Sequence, residues 1–589
     1  MQGFRRKIIL CFAITGLAFI GIIVRVLYIS SPGVLNLTQW RSESRPSIRG
    51  SILDRNGSSL ALTIPSRSVF VIPERFQADE AHIDFLSKTL GITKSEFEAR
   101  VRRGTKSFAW ISRQIAPEIG AAVQEAKIPG VETVSEPTRV YPYGELAGQI
   151  LGFCGVDHTG LSGLEHSLNS RLIPSSKQNV RNIVLTIDRF MQYIAEDELG
   201  IAIEESGAAR ASCLIMQPQT GEILAMAALP SFDPNTFNRY PQERYLIPAV
   251  SSTYEPGSTF KIFGPAWLIE NHQIQQNEYF QCTGSIEVHE HRVECTRAHG
   301  SLTLEGILAQ SCNAGMIKLS SRIPPGDFRD WLHRLGFGMS TGVGLPGEAG
   351  GLLRSTDKWS GLSRAMISIG YECSVTSLQL LRAASALASD GLLMQPLLVK
   401  ATSDHEGRII EASSPVVVRR VMRPDTARSI LSMLRKTVTE GTARQAALPD
   451  VEVGGKTGTA HIAREGGGGY YTTRYIASFI GYLPYRQSNL VMLVSIHEPS
   501  MGEHMGGTLA APVFRRIARR TMLYLSEKIP PVIDEEYMNT GILPALSPDA
   551  RRVLLAAYTH DEERRRFVLM HELSEYQKTE LSLILQILH

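Results

Sequence analysis

The chain has no excess of either charge: 61 lysines and arginines face 58 aspartates and glutamates over 589 residues, a formal net charge of +3. A balance this even removes the case for nucleic acid, or any strongly acidic partner, recognised through bulk charge. Cysteine is scarce. Seven are spread as Cys11, Cys154, Cys213, Cys282, Cys295, Cys312 and Cys373, an odd and sparse set that excludes a disulfide framework, so burial must hold the core. There is no internal repeat and no extended low-complexity stretch; the glycine run 466–469 reads as a mobile loop. What is present is 43% hydrophobic and 20% charged residues, the balance of folded protein, in a chain too long for one ordinary domain.

The informative charge is local. Arg5, Arg6 and Lys7 precede an apolar run from Ile8 to Val24, followed by Arg25 and Tyr28. A bilayer needs roughly 20 such residues, and Arg25 can snorkel toward the interface. The basic cluster orients residues 8–28 as an inner-membrane anchor with a cytoplasmic N-terminus. No small-residue cleavage site follows the run, which favours an anchor over a removed signal peptide. The bulk of the chain is then expected outside the inner membrane, in the periplasm.

Along the chain, residues 31–205 alternate short strand-like and helix-like segments with Pro/Gly breaks, an irregular α+β module. At its end Asp188 is placed to cap a helix carrying Met191, Ile194, Ala195 and Leu199 on one face. Residues 206–528 open with the hairpin "SCLIMQPQTGEILAMAAL" and close with strands at "VEVGGKTGTA", "YIASFIGYLP" and "NLVMLVSIH" and a helix. Strands at both ends with helices between imply one sheet flanked by helices. Beyond 529 a helical extension is expected, with Leu569, Leu573, Tyr576, Leu583 and Ile587 on one face. Cys282 and Cys295 bracket "TGSIEVHEHRVE", a hairpin pattern. A disulfide, free thiols, or a zinc site with His289, His291, His299 and Cys312 all remain open for them.

The chemistry begins at "EPGSTFK". Ser258 is a poor nucleophile unless a neighbour takes its proton, and Lys261 can do so if its amine is held neutral. Three residues apart on a helix, the two share a face. Alone, S-x-x-K is a weak pattern. It is followed in order by "SCN", Ser311 to Asn313, and by "GGKTGTA", Gly454 to Ala460. S-x-x-K, S-x-N and K-T-G are the three elements of serine acyl-enzymes acting on D-alanyl peptides and β-lactams. Ser311 offers a relay hydroxyl, and Asn313 can bind a substrate amide or orient Lys261. Lys456 supplies positive charge for a substrate carboxylate and helps keep Lys261 neutral. Thr457 and Thr459 add hydroxyls, Gly458 allows close approach to an edge strand, and the Ser258 and Thr459 N–H groups are the expected oxyanion donors.

These motifs make the chain resemble the class B penicillin-binding proteins, the monofunctional D,D-transpeptidases of peptidoglycan synthesis. The resemblance extends over residues 5–525. "RGSILDRNGSSLA", with Arg49, Gly50, Asp54, Arg55 and Gly57, looks like the start of the family's pedestal module, and "GLSGLEHSLNSRL", with Glu165, like a later pedestal signature. Gln192 after "LTID" and the segment "EGTA", Glu440 to Ala443, match as well. The implied fold has a transmembrane helix, an elongated α+β pedestal, and an α/β transpeptidase domain with a β-lactamase-like antiparallel sheet. The implied reaction cross-links stem peptides ending in D-Ala-D-Ala, with β-lactams as inhibitors and no metal or organic cofactor. A SEDS-type glycan polymerase and division proteins are the implied partners. "SCN" and "KTGT" resemble the septal type more than the elongation type. A β-lactam hydrolase or sensor, and a non-catalytic scaffold, are the competing readings; no E-x-x-L-N-type segment follows Ser311 to supply a hydrolytic base. Pro265, four residues past Lys261, cannot donate to the Lys261 carbonyl, so a kink is expected there.

Overall fold

A computed structural model describes residues 49–527, apart from 78, 174–179, 276, 465–467 and 485–489. The expected membrane anchor (8–28), the extension beyond 529 and part of the 466–469 loop lie outside the described residues. Among the described residues, no helix is long and apolar enough to cross a membrane.

The sheet that carries the chemistry has five antiparallel strands. In chain order they are β1 (Arg210–Met216), β2 (Ile223–Leu229), β3 (Gly454–Ala463), β4 (Tyr470–Leu483) and β5 (Leu490–His497). Their spatial order is β3-β4-β5-β1-β2, so β3 is an edge. The expected single sheet built from both ends of the region is therefore what forms. Helix α1 (Arg189–Ser206) is capped as expected by Asp188, whose carboxylate accepts from the N–H groups of Phe190 and Met191. It is followed by α2 (Phe263–Glu270), α3 (Asn313–Ser320), α4 (Ser377–Ala388), α5 (Pro424–Thr439) and α6 (Ala510–Glu527).

Both faces of the sheet are covered, and strand alternation decides which core each side chain joins. Cys213, Ile215, Met492, Val494 and Phe479 pack with Ile194, Leu199 and Phe514 of α1 and α6. Their strand neighbours Leu214, Met216, Leu493 and Ile480 pack into a larger core with Leu380 and Leu387 of α4 and Leu434 of α5. A one-residue slip of any central strand would exchange the two sets.

Before this sheet, Arg67–Val71, Ala109–Ile115 and Val131–Ser135 form a three-stranded sheet over its own small core of Val69, Leu86, Phe97, Ile111 and Val123. A six-stranded sheet joins the earlier and later parts of the chain. Asn182–Leu185 pairs on one side with Ile52–Leu53 and on the other with Val399–Ser403.

The pedestal signature residues meet in the interior. Glu165 is fully buried and accepts from Arg49 Nε and Arg139 Nε, each at 2.6 Å, and from the Cys154 thiol at 3.2 Å. Burial works against the Glu165 charge, but Arg139 and Arg49 outweigh it and hold the carboxyl below its usual range. Asp54 accepts from the N–H groups of Asn56 and Ser58 at 2.9 and 2.8 Å, which closes the turn at Gly57. Gln192 bonds the backbone of Met226 in β2 in both directions, fixing α1 to the sheet.

Candidate active site

Gly257 to Ile262 form a 3₁₀ turn that runs into α2 at Phe263. In a 3₁₀ turn residues i and i+3 eclipse, so Ser258 and Lys261 lie on one side as the spacing predicts, although the turn is tighter than an α-helix. The expected kink at Pro265 is not a break in a continuous helix. Proline falls in the first turn of α2, where an N–H has no intrahelical partner to lose, and Ile262 keeps helical angles of φ −75° and ψ −24°. The Phe263 carbonyl, in the same turn, accepts from Trp331 Nε1 at 2.9 Å, which ties the start of α2 to a neighbouring helix.

Gly257 has φ +55°, and a Cβ there would lie 3.0 Å from Ala460 Cβ, so glycine lets the turn seat directly on β3. Gly458 does related work. A Cβ on it would come 2.4 Å from Ser478 Oγ and 2.9 Å from Thr259 Cγ2. The missing side chain makes room for the turn that bears Ser258 and for β4.

Lys261 is fully buried. Its Nζ donates to the Ser311 carbonyl at 2.7 Å, to Ser311 Oγ at 3.3 Å and to Asn313 Oδ1 at 2.5 Å. Asn313 is held from its other end by donating Nδ2 to the Glu294 carbonyl at 2.7 Å. Of the two roles open for Asn313, the hydrogen bonds therefore favour orienting Lys261. Ser311 sits at φ +55°, a left-handed conformation uncommon outside glycine and a form of strain that clusters at functional sites.

Lys456, on β3, is also fully buried and donates Nζ to Ser311 Oγ at 2.9 Å and to the Thr457 carbonyl at 3.1 Å. The Ser311 hydroxyl thus bridges two amines. Burial pulls the Lys261 ammonium down to about 8, with the Cys312 and Cys295 sulfurs acting the other way. Lys456 is driven well below the usual lysine value, first by burial and then by the Lys261 charge. Desolvation, more than the field of Lys456, is what favours a neutral Lys261.

Thr457 and Thr459 are held by groups that the motif does not contain. The Thr457 and Thr442 hydroxyls are 2.7 Å apart, and the Gly506 N–H donates to Thr459 Oγ1 at 3.0 Å. Thr442 lies in the "EGTA" segment, so its neighbourhood was legible in sequence. Gly506 carried no such signal, and neither did Gly370, whose carbonyl accepts from the Gly257 N–H at 3.0 Å.

Two buried lysines that share the half-buried Ser311 hydroxyl, with Asn313 on one of them and the Ser258 turn beside an edge strand, define a serine acyl-transferring enzyme. The penicillin-binding protein transpeptidase domain model matches residues 211–519, and the penicillin-binding protein dimerisation domain model matches 44–184. The chain belongs to the penicillin-binding protein transpeptidase family. It is 31% identical over 85% of its length to the probable peptidoglycan D,D-transpeptidase PenA of Neisseria meningitidis, covering 89% of that protein. It is 29% identical to the peptidoglycan D,D-transpeptidase FtsI of Escherichia coli, over 85% of this chain and 88% of that one. A crystal structure of penicillin-binding protein 3 from Mycobacterium tuberculosis complexed with aztreonam superposes with a TM-score of 0.66 and 30% identity, covering 82% of this chain and 97% of the other.

Proposed function

We propose that the protein is a peptidoglycan D,D-transpeptidase of the division type, acting through an acyl-enzyme at Ser258. The observation that carries this reading is the meeting of three motifs, separated by up to nearly 200 residues of chain, on one hydroxyl: Lys261 and Lys456 both donate to Ser311 Oγ. Ser258 Oγ attacks the carbonyl between the two terminal D-alanines and gives its proton to neutral Lys261. The N–H groups of Ser258 and Thr459 face the oxyanion. As the C–N bond breaks, the Ser311 hydroxyl passes a proton from Lys261 to the departing amine of D-alanine. The ester is then attacked by the amine of a second stem peptide, whose proton returns through Lys261 to Ser258 Oγ as the C–O bond breaks.

The open edge of β3 suits an extended peptide added as a further strand. Its terminal carboxylate meets the Thr457 and Thr459 hydroxyls with Lys456 behind them. The arriving negative charge restores a proton on Lys456, and that positive charge in turn favours a neutral Lys261. β-Lactams enter the same cycle and stop at the ester. Residues 8–28 anchor the chain in the inner membrane, beside a SEDS-type glycan polymerase and other division proteins.

Full-length protein incubated with a fluorescent penicillin should give a stable adduct, mapped by peptide mass spectrometry to Ser258 and absent from Ser258→Ala. An adduct on another residue, or none, removes the reading; rapid release of hydrolysed drug points to a β-lactam hydrolase. Localising a fluorescent fusion to the septum or to the side wall separates division from elongation.

A further inference from the structure

Beside the second motif, four side chains that can bind a metal converge from four places in the chain. Cys282 ends the strand Phe280–Cys282, which pairs with Gly300–Leu302. Cys295 follows the hairpin Ser285–Val288/His291–Glu294, and its N–H donates to the Gly284 carbonyl at 2.8 Å. His299 precedes Gly300. Cys312 caps α3 between Ser311 and Asn313. Cys282 Sγ lies 3.7 Å from Cys295 Sγ and 3.5 Å from His299 Nδ1, and Cys295 Sγ lies 3.8 Å from Cys312 Sγ. All four ligand atoms fall within 4.8 Å of one another.

These distances discriminate between the three possibilities that the sequence leaves open. A disulfide needs sulfurs about 2.05 Å apart, and all three cysteines are free thiols here. A tetrahedral zinc ion with Zn–S near 2.3 Å sets sulfur–sulfur edges of about 3.8 Å, and with Zn–N near 2.05 Å sulfur–nitrogen edges of about 3.6 Å. Three of the six separations, 3.7, 3.8 and 3.5 Å, are those edges, and the other three stay within 4.8 Å. The backbone is arranged for thiolates as well: the Ala314 N–H donates to Cys295 Sγ and the Gly315 N–H to Cys312 Sγ, each at 3.3 Å. Such donors fix the orientation of metal ligands from outside the coordination sphere.

We propose that Cys282, Cys295, His299 and Cys312 form a closed structural zinc site. Three sulfurs and one imidazole select a borderline-soft ion over magnesium or calcium, and four protein ligands leave no open position for chemistry. Binding releases the thiol protons to solvent. The other two histidines raised by the sequence do not join this cluster: His291 pairs across the hairpin with Val288, and His289 stands against Gly361. The ion pins the excursion 280–302 to the loop that carries Ser311 and Asn313. Asn313 Nδ2 grips the same excursion at the Glu294 carbonyl, so the metal and this bond together hold the acceptor that orients Lys261.

Full-length protein purified in detergent, with neither metal nor chelator added, should contain about one zinc ion per chain by plasma mass spectrometry. Exchange for cobalt(II) should give thiolate-to-metal charge transfer in the near ultraviolet and the intense d–d bands of a tetrahedral site. Cys282→Ser and His299→Ala should each weaken metal binding at least about tenfold, while Cys213→Ala, in the core of the central sheet, should keep it. If a ligand variant fails to fold, the cobalt spectrum of the unaltered chain decides alone. Absence of metal, iron or copper in place of zinc, or a Cys282–Cys295 or Cys295–Cys312 disulfide in peptide mapping overturns the site. The measurement reads metal rather than acyl transfer, so it stands or falls independently of Ser258.

Discussion

If neutral Lys261 takes the proton of Ser258, the rate of acylation must follow the ionisation of that lysine. Burial brings it from 10.5 to about 8, a change of about 3 kcal/mol between its two protonation states. At pH 7 the neutral fraction is then about a tenth, against roughly one in three thousand for an unshifted lysine. Stopped-flow acylation by a fluorescent penicillin without a titrating group between pH 6 and 10 should rise about tenfold per unit below pH 7. It should gain about fivefold from pH 7 to 8, and less than twofold from pH 8 to 9. The sign for folding is the opposite of a benefit. The folded chain binds fewer protons than the unfolded one between pH 8 and 10.5, so this lysine costs stability below about pH 8 and the cost fades as pH rises through that window. A rate that is flat from pH 6 to 9 would refute the assignment of Lys261 as the base. A rise that continues tenfold per unit to pH 10 would refute the lowered ionisation.

Gly458→Ala places a methyl 2.4 Å from Ser478 Oγ and 2.9 Å from Thr259 Cγ2, so urea unfolding should show a loss of about 1–3 kcal/mol. Acylation should fall with it, because the turn bearing Ser258 must shift. Glu165→Gln leaves Arg49 and Arg139 buried without a countercharge and should cost about 3–5 kcal/mol, read as a fall in thermal midpoint. In the unaltered protein the Glu165 contribution is present above the unfolded carboxyl pKa and is lost as pH falls through its lower folded value. Pro265→Ala should leave acylation within about threefold, since position 265 lies in the first turn of α2; a much larger loss would mean that the proline sets how Lys261 is presented.

What the sequence made legible was chemistry at short range. Ser258 and Lys261, Ser311 and Asn313, and Lys456 to Thr459 are each a few residues apart, and their residue types carry their tasks. Apolar runs bounded by turn residues likewise announced the strands of the central sheet. Long-range fitting was not legible. At Gly458 only the folded sheet shows how little room Thr259 and Ser478 leave for a side chain. Pro265 looked disruptive because sequence cannot show that the α-helix begins at Phe263. The cysteines are 13 and 17 residues apart, with no tight ligand spacing, so only the pairing of 280–282 with 300–302 and the cap at 312 bring their sulfurs together. The left-handed Ser311 is a further case, since nothing in "SCN" specifies that angle.

The strand Val399–Ser403 gives the molecule a seam where a simple reading would put a hinge. It lies between Asn182–Leu185 on one side and Ile409–Ala412 on the other, in a sheet continued by Ile52–Leu53 and Ser59–Ile64. A chain shortened to begin after residue 205 would keep Val399–Ser403 but lose its inner neighbour, exposing a row of backbone donors and acceptors ready to pair with another molecule. The part that performs the chemistry is therefore completed by the part that precedes it, and a load applied to the early strands would pass through backbone hydrogen bonds into the region that holds the catalytic sheet.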